Sequence, residues 1–296
     1  MDPAVQPRDD IGKPRDDIGM FKALTTFFLH LRLPMQFTLA PFFIAGASFA
    51  GRSWTPALLV DFLLAHAALY GGCTAFNSYY DKDEGPIAFM KKPLAMEPWM
   101  LPASVILQLI AVFYFFARDV PAGAVSTSMF LLGVAYSHPL IRLKKRLWGS
   151  LITVAIGQGG LALFLGFFVA GGRTLRGEFF LCLLGSMLLA VGFYFVTQIF
   201  QIEEDRSRGD RTLGTILGPR KTLYVTWCLV ALGGALFLSS WFRGLVALIP
   251  ALAFAPVVAL WKKKIETWNS ERNHDIAMML VLVCSLACLG FLLMFG

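Results

Sequence analysis

Nine long apolar runs constrain this chain more than any other feature of its sequence. Each is long enough to cross the hydrocarbon core of a bilayer as a helix. Only 15% of the 296 residues are charged, against about a quarter in a soluble domain. The sequence therefore predicts an all-α, polytopic membrane bundle of about nine transmembrane helices around a central cavity. The runs lie at about 33–51, 55–80, 102–119, 122–138, 149–171, 177–201, 222–242, 243–261 and 275–296.

The first 20 residues differ from the rest of the chain in being polar. They contain the sequence PRDDIG twice, and such a segment, rich in charge, Pro and Gly, favours disorder. We therefore predict a disordered tail over residues 1–20 and one membrane domain over residues 21–296.

The basic residues indicate how the chain is threaded through the membrane. If the N-terminus is cytoplasmic and every run crosses once, all but five of the 26 Lys and Arg residues fall on the cytoplasmic side, as the positive-inside rule expects. The C-terminus then lies on the opposite side. Because topology accounts for the net charge of +7, no nucleic-acid partner is expected. The exceptions are Arg52, Arg118, Arg173, Arg176 and Arg243.

Oxygen-bearing side chains close the second run. Asn77 and Asp81 are four residues apart and share one face of a helix, and Asp83 and Glu84 follow directly. An amide oxygen and carboxylates are ligands that Mg²⁺ accepts, and Mg²⁺ takes its remaining contacts from water and substrate phosphates. We predict a magnesium site here, against the alternative of a solvated helix end.

The sixth run ends in a similar way. Gln198, Gln201 and Asp205 follow one helical stripe, with Glu204 beside them. Gln201 and Asp205 repeat the spacing of Asn77 and Asp81, and both pairs end their runs on the same predicted side of the membrane. The two stripes therefore predict the two halves of one pocket, with a metal ion as the partner of the clustered acids.

Basic residues next to these acids are candidates for binding phosphate oxygens. Arg142 and Lys144 lie in the loop after the fourth run, and Arg211 follows the second acidic stripe. The alternative for this basic loop is a topology signal or a contact with anionic lipids. No Walker sequence, nucleophile elbow or Gly-rich dinucleotide turn is present.

Taken together, these motifs resemble the UbiA superfamily of intramembrane prenyltransferases, over about residues 30–296. Asn77 and Asp81 match its first motif, and Asp205, Gly209 and Thr212 match the second. The resemblance implies catalytic roles for Asn77, Asp81 and Asp205. The implied metal ligands are Asn77, Asp81, Asp83, Glu84, Gln201, Glu204 and Asp205, and the implied diphosphate-binding residues are Arg32, Lys92, Arg142, Lys144 and Arg211. Two positions depart from the family pattern, since Gly85 and Gln201 stand where an acid is usual.

The resemblance also implies a reaction. Mg²⁺ and the basic residues would hold an isoprenyl diphosphate, which ionises and passes its prenyl group to a small hydrophobic, usually aromatic, acceptor. If no acceptor enters, the same cation can close on its own double bonds, as in a UbiA-type terpene cyclase. A transporter or lipid-binding membrane protein is a further alternative, although transporters usually place their site near the midplane and repeat their halves.

Overall fold

The computed structural model describes residues 15–51, 54–241 and 249–295. Helices account for most of this part of the chain, and its β-structure is limited to two isolated bridges, Ile87 with Met90 and Arg146 with Arg211. The prediction of an all-α membrane bundle is confirmed.

The first half of the chain contains seven α-helices. Residues Leu64–Tyr70 form a π-helical segment that joins α4 to α5, so Pro56–Asp81 is one continuous span. The helices are α1 (Arg15–His30), α2 (Leu33–Phe37), α3 (Ala40–Phe49), α4 (Pro56–Leu63), α5 (Gly71–Asp81), α6 (Met100–Arg118) and α7 (Val120–Ser137).

The second half of the chain is also helical and likewise contains one π-helical segment among its described residues. A 3₁₀ turn, Leu143–Lys145, precedes α8, and the π-helical segment Ala155–Gly160 joins α8 to α9. The helices are α8 (Leu147–Val154), α9 (Leu161–Val169), α10 (Gly177–Ser207), α11 (Leu213–Ser239), α12 (Ile249–Lys264) and α13 (Ser270–Phe295). A kink at Gly218, before Pro219, divides α11, because proline lacks the amide hydrogen that would continue the helix.

Seven helices in the described residues are long and apolar enough to cross a membrane, which indicates an integral, multi-pass protein. The bent pair Gly19–Phe37 and Ala40–Phe49, at 52°, brings the count to eight if it forms one span. The predicted run at 243–261 begins in residues 242–248, which lie outside the described residues, and continues as α12, which has 16 residues.

The predicted tail can be compared with the structure only in part. Residues 1–14 lie outside the described residues, whereas α1 begins at Arg15. The last six residues of the predicted tail are therefore helical. The disorder predicted for residues 1–14 and the single membrane domain predicted over residues 21–296 remain predictions.

Away from the predicted cytoplasmic ends, α3 and α9 pack backbone against backbone. A Cβ atom at Gly166 would collide with the carbonyl oxygen of Phe43, and one at Gly46 would collide with that of Leu163. Only glycine allows helices to approach so closely. The bundle is consequently closed between α3 and α9, whereas a cavity lies closer to the predicted cytoplasmic ends.

Candidate active site

A cavity of about 240 Å³ lies between α2, α5, α7, α8 and α10. Seven charged side chains line it, and all come from helix ends or the loops that follow them. We call this charged end of the cavity the mouth. The seven are Arg32, Asp81, Asp83, Lys144, Asp205, Arg208 and Asp210. Below them the lining is mostly apolar and aromatic, and includes Leu39, Leu69, Tyr70, Met129, Leu132, Val154 and Phe193.

The end of α5 presents the first predicted motif to the cavity. Asn77 and Asp81 both line it, as their spacing on one helical face predicts. The Asp81 carboxylate is in direct contact with the Lys144 ammonium. The Asn77 Oδ1 atom is buried and has no hydrogen-bond partner among the described residues, so it is free to accept from, or coordinate, a bound group.

Asp83 follows on the loop and turns back into the cavity. Its carboxylate, 7% exposed, accepts a hydrogen bond from Arg208 Nη1 at 2.8 Å and lies 3.7 Å from Arg32 Nη2. Arg32 also donates to Ser78 Oγ at 2.7 Å. It occupies the break between α1 and α2 in a left-handed conformation, with φ of 50°, and this break points its guanidinium toward α5.

The end of α10 supplies the second motif. Gln198, Gln201 and Asp205 all line the cavity from one stripe of the helix. Asp205 Oδ2 accepts a hydrogen bond from the Thr212 hydroxyl at 3.0 Å, and Thr212 also caps the N-terminus of α11. The turn between the two helices passes through Gly209, at φ of 70°, a backbone conformation that favours glycine.

Lys144 is the most deeply placed base of the loop after α7. Burial lowers the pKa of its ammonium to about 8, and the nearby Asp210 carboxylate raises it, because a cation is less stable away from water and more stable beside an anion. Lys144 therefore lies at the mouth between carboxylates that favour its charged form and a buried setting that disfavours it.

Five of the residues implied by the resemblance do not line the cavity. Glu204 accepts from Arg208 and from the backbone N–H of Glu84, so its carboxylate supports the loop. Glu84 itself is exposed, as are Lys92 and Arg211. The Arg142 guanidinium lies 3.7 Å from Asp210 and approaches the mouth only through that carboxylate.

The candidate set from the sequence omitted two charged residues that line the mouth, Arg208 and Asp210. Arg208 bridges the halves, since it donates to Asp83 and, at 2.5 Å, to Glu204. The spacing of four residues from Glu204 to Arg208 was a usable signal for this ion pair. Asp210 had no such signal, because its position depends on the turn at Gly209.

The oxygen donors at the mouth fit a magnesium ion that is shared with a substrate. Asn77 Oδ1 and Asp210 Oδ1 are buried without hydrogen-bond partners among the described residues. Among the described residues, no three Asp, Glu, His or Cys side chains are grouped closely enough to hold a metal by themselves. This arrangement suits Mg²⁺, which keeps several waters and takes further oxygens from substrate phosphates.

Comparison with known proteins identifies the family. The model of the UbiA prenyltransferase family matches residues 39–286. The chain belongs to the UbiA prenyltransferase family. The resemblance seen in the sequence motifs is thereby confirmed. Comparison with curated protein sequences gives no significant match.

Solved structures of other UbiA homologues share the fold. A homologue from Archaeoglobus fulgidus bound to DMAPP and Mg²⁺ is 16% identical, with a TM-score of 0.62 over 90% of this chain and 99% of that one. The structure of an Archaeoglobus fulgidus homologue with GPP and Mg²⁺ gives a TM-score of 0.61 at the same identity and coverage. An apo homologue from Aeropyrum pernix K1 is 20% identical, with a TM-score of 0.58 over 87% and 97% of the two chains.

One departure from the family pattern has a steric explanation. A Cβ atom at Gly85 would lie 2.9 Å from Glu204 Oε2, so an acidic side chain at position 85 would meet another carboxylate at close range. Glu204 thus occupies the space that an acid at position 85 would need. The pairing of Glu204 with Arg208 then neutralises it.

Proposed function

We propose that this chain is a magnesium-dependent, membrane-embedded prenyltransferase that ionises an isoprenyl diphosphate and transfers the prenyl group to a small hydrophobic, aromatic acceptor. The observation that carries this proposal is the mouth, where four carboxylates from the two predicted motifs and their loops, together with three cations, surround one cavity with an apolar interior. Membership of a prenyltransferase family supports the same reaction class.

When the diphosphate and its metal bind, the cations of the mouth would exchange their carboxylate partners for phosphate oxygens. Arg32, Lys144 and Arg208 would donate to phosphate oxygens, releasing carboxylates that they contact in the free protein. Bound magnesium would neutralise the diphosphate and make it a better leaving group. The residues that would hold it are Asn77, Asp81, Asp83, Gln201 and Asp205, whereas Glu84 and Glu204 would support the loop.

Ionisation breaks the bond between C1 of the prenyl group and the diphosphate oxygen. Fixed cations at the mouth then meet the charge that develops on the departing oxygen. The aromatic rings of Tyr136, Phe193 and Tyr194 line the cavity, and ring faces stabilise a nearby allylic cation. A ring carbon of the acceptor bonds to C1 and then loses its proton, which restores aromaticity.

We further propose that the mouth and the N-terminus face the cytoplasm and that the C-terminus lies on the opposite side. In the predicted threading, all but five of the 26 Lys and Arg residues fall on the side of the membrane that carries the mouth, and segments rich in Lys and Arg are retained in the cytoplasm. The donor would therefore reach the mouth from the cytoplasmic leaflet, with its prenyl chain directed into the apolar interior of the cavity.

A terpene cyclase remains the second candidate, because the inner part of the cavity is bounded by aromatic side chains. Tyr70, Phe193 and Tyr194 surround the space where a prenyl chain would fold on itself. In that case the cation bonds to a distal double bond of its own chain, and a final proton loss releases a hydrocarbon.

The deciding experiment incubates purified protein in lipid nanodiscs with Mg²⁺ and isoprenyl diphosphates, with and without a panel of phenolic and quinol acceptors. A prenylated acceptor together with released diphosphate supports the transferase, whereas a hydrocarbon without acceptor supports the cyclase. Asp205→Asn should abolish either product. Glu203→Gln is the matched control, because Glu203 is an exposed acid on the same helix. Diphosphate release that is unaffected by Asp205→Asn would overturn both.

A further inference from the structure

The cavity has a defined inner end, which we call the floor. On each of five helical segments that line the cavity, one or two residues form its inner end, on the side away from the mouth. Beyond these positions the same segments pack into the buried core. The six floor residues are Leu39 before α3, Leu69 and Tyr70 before α5, Met129 on α7, Gln158 between α8 and α9, and Phe193 on α10.

Tyr70 is backed by a column of aromatic rings. Its ring lies 5.2 Å from that of His66 in an edge-to-face contact, and His66 stacks on Phe62 at 4.0 Å. Phe43 packs against both His66 and Phe62. Tyr70 and the three rings behind it are all buried, so the Tyr70 ring cannot move away without disrupting close-packed core.

The region behind the column is closed as well. Phe43 belongs to α3, whose backbone contacts that of α9 at Gly46 and Gly166. No space for a hydrocarbon chain exists where two helices approach to backbone contact. A prenyl chain that runs inward along α5 from the mouth therefore meets the floor, with closed core behind it.

The distance from the mouth to the floor limits the length of the prenyl chain that can bind. Tyr70 precedes Asp81 by eleven residues on one helix, which corresponds to roughly 16 Å at 1.5 Å per residue. The diphosphate and its metal occupy the first part of this distance. An isoprene unit adds four chain carbons, about 5 Å at ordinary bond lengths, so the remainder accommodates roughly two units.

We propose that the floor selects a short donor, a geranyl diphosphate in size, and that Tyr70 is its specificity-determining residue. This inference rests on the proposed function, because it assumes that a prenyl diphosphate binds with its phosphates at the mouth. It applies equally to the transferase and the cyclase, since both bind the same donor before their reactions diverge.

The test measures the binding of non-ionising thiolodiphosphate analogues with Mg²⁺ in nanodiscs. The series comprises dimethylallyl, geranyl, farnesyl and geranylgeranyl analogues, and inorganic diphosphate serves as the common reference. For the wild type we expect affinity to rise up to geranyl and to fall by roughly tenfold for farnesyl, as a closed apolar pocket rejects added carbons. Tyr70→Ala should restore farnesyl binding and leave the affinity for inorganic diphosphate unchanged.

Two further variants distinguish the effect of the Tyr70 ring from that of its hydroxyl and from that of truncating an aromatic side chain elsewhere. Tyr70→Phe should keep the wild-type length preference, because the Tyr70 hydroxyl has no hydrogen-bond partner among the described residues and only the ring fills the floor. Phe180→Ala truncates an aromatic side chain that is 53% exposed on the outside of the bundle, and it should not change the preference.

The outcomes distinguish this inference from the proposed function. If inorganic diphosphate fails to bind with Mg²⁺, the proposed function itself is wrong. Suppose instead that inorganic diphosphate binds. If the wild type then accepts geranyl and geranylgeranyl analogues equally, or if Tyr70→Ala leaves the length preference unchanged, the floor does not select the length of the prenyl chain and the inference is overturned. Thermal unfolding of Tyr70→Ala, with and without inorganic diphosphate, shows whether the variant is folded.

Discussion

The two helix ends that form the mouth, at α5 and α10, carry similar side chains but neutralise them differently. At α5, Asp81 contacts the Lys144 ammonium, so a ligand that binds there must exchange partners with an ion pair. At α10, Asp205 accepts a hydrogen bond from the neutral Thr212 hydroxyl at 3.0 Å. In the proposed function, the α10 end would therefore offer a carboxylate to a cation directly, whereas metal binding at the α5 end would be coupled to the release of Lys144 for phosphate.

The two ends also differ in what holds their acids in place. Asp205 belongs to α10, a helix of 31 residues. Asp83, the second acid of the α5 side, lies on a loop whose Ala88 carbonyl accepts a hydrogen bond from the buried His274 of α13. Rigid elements position side chains more precisely than loops do, so the α5 side depends on distant contacts that the α10 side does not need.

The largest expected effect comes from removing one carboxylate at each end. Asp81→Asn and Asp205→Asn should each lower turnover roughly a hundredfold or more, because each removes charge that the reacting diphosphate complex needs. If the two ends act as one unit, the double variant should be little worse than the more damaging single variant. Single-turnover diphosphate release measures this, and losses that multiply would show that the ends act independently.

Arg208 ties the two ends together and should have the next largest effect. Arg208→Ala removes charge-assisted hydrogen bonds to Asp83 and Glu204, and we expect roughly a tenfold to hundredfold loss in kcat/KM. Arg206→Ala is the matched control, since Arg206 is exposed on the same helix. Equal losses in the two variants would assign the effect to overall charge and not to the bridge.

The loop anchor on α13 should matter less, since it acts only through position. His274→Ala removes one buried hydrogen bond to the loop, so KM for the donor should rise about fivefold to tenfold, with a smaller change in kcat. His274→Gln should recover part of the loss, because its amide can donate to the same carbonyl. Lys91→Ala, at the exposed ion pair with Asp275, should have little effect. An unchanged KM in His274→Ala would contradict the positioning role.

The smallest expected effect is a gain in apparent affinity for Mg²⁺. Gln201 lies where the family usually has an acid, and it lines the cavity four residues before Asp205. Gln201→Glu should lower the Mg²⁺ concentration for half-maximal activity a few-fold, because ligand charge strengthens cation binding. Gln201→Leu should raise it. A Mg²⁺ requirement that neither variant changes would remove Gln201 from the metal site.

The sequence predicted the parts of the mouth that depend on helical spacing. Asn77 with Asp81, and Gln201 with Asp205, line one cavity because residues four apart share a helical face. It could not predict Asp210, which the turn at Gly209 brings back to the mouth, nor the support role of Glu204, which depends on a loop 120 residues away in sequence.

The boundaries of the membrane spans were likewise only partly predictable from the sequence. The run at 33–51 predicts one straight helix, but the chain breaks between α2 and α3, with the segments bent by 52°. Hydropathy reports the total length of apolar chain and is insensitive to such breaks. The break before α2 turns Arg32 toward Ser78 and Asp83.

The most direct test is the equilibrium binding of inorganic diphosphate in the presence and absence of Mg²⁺, in the wild type and in Asp81→Asn and Asp205→Asn. If the ends of α5 and α10 hold one diphosphate through a shared cation, Mg²⁺ should strengthen binding in the wild type, and either substitution alone should remove that enhancement. Full Mg²⁺-dependent enhancement in either variant would contradict a shared site.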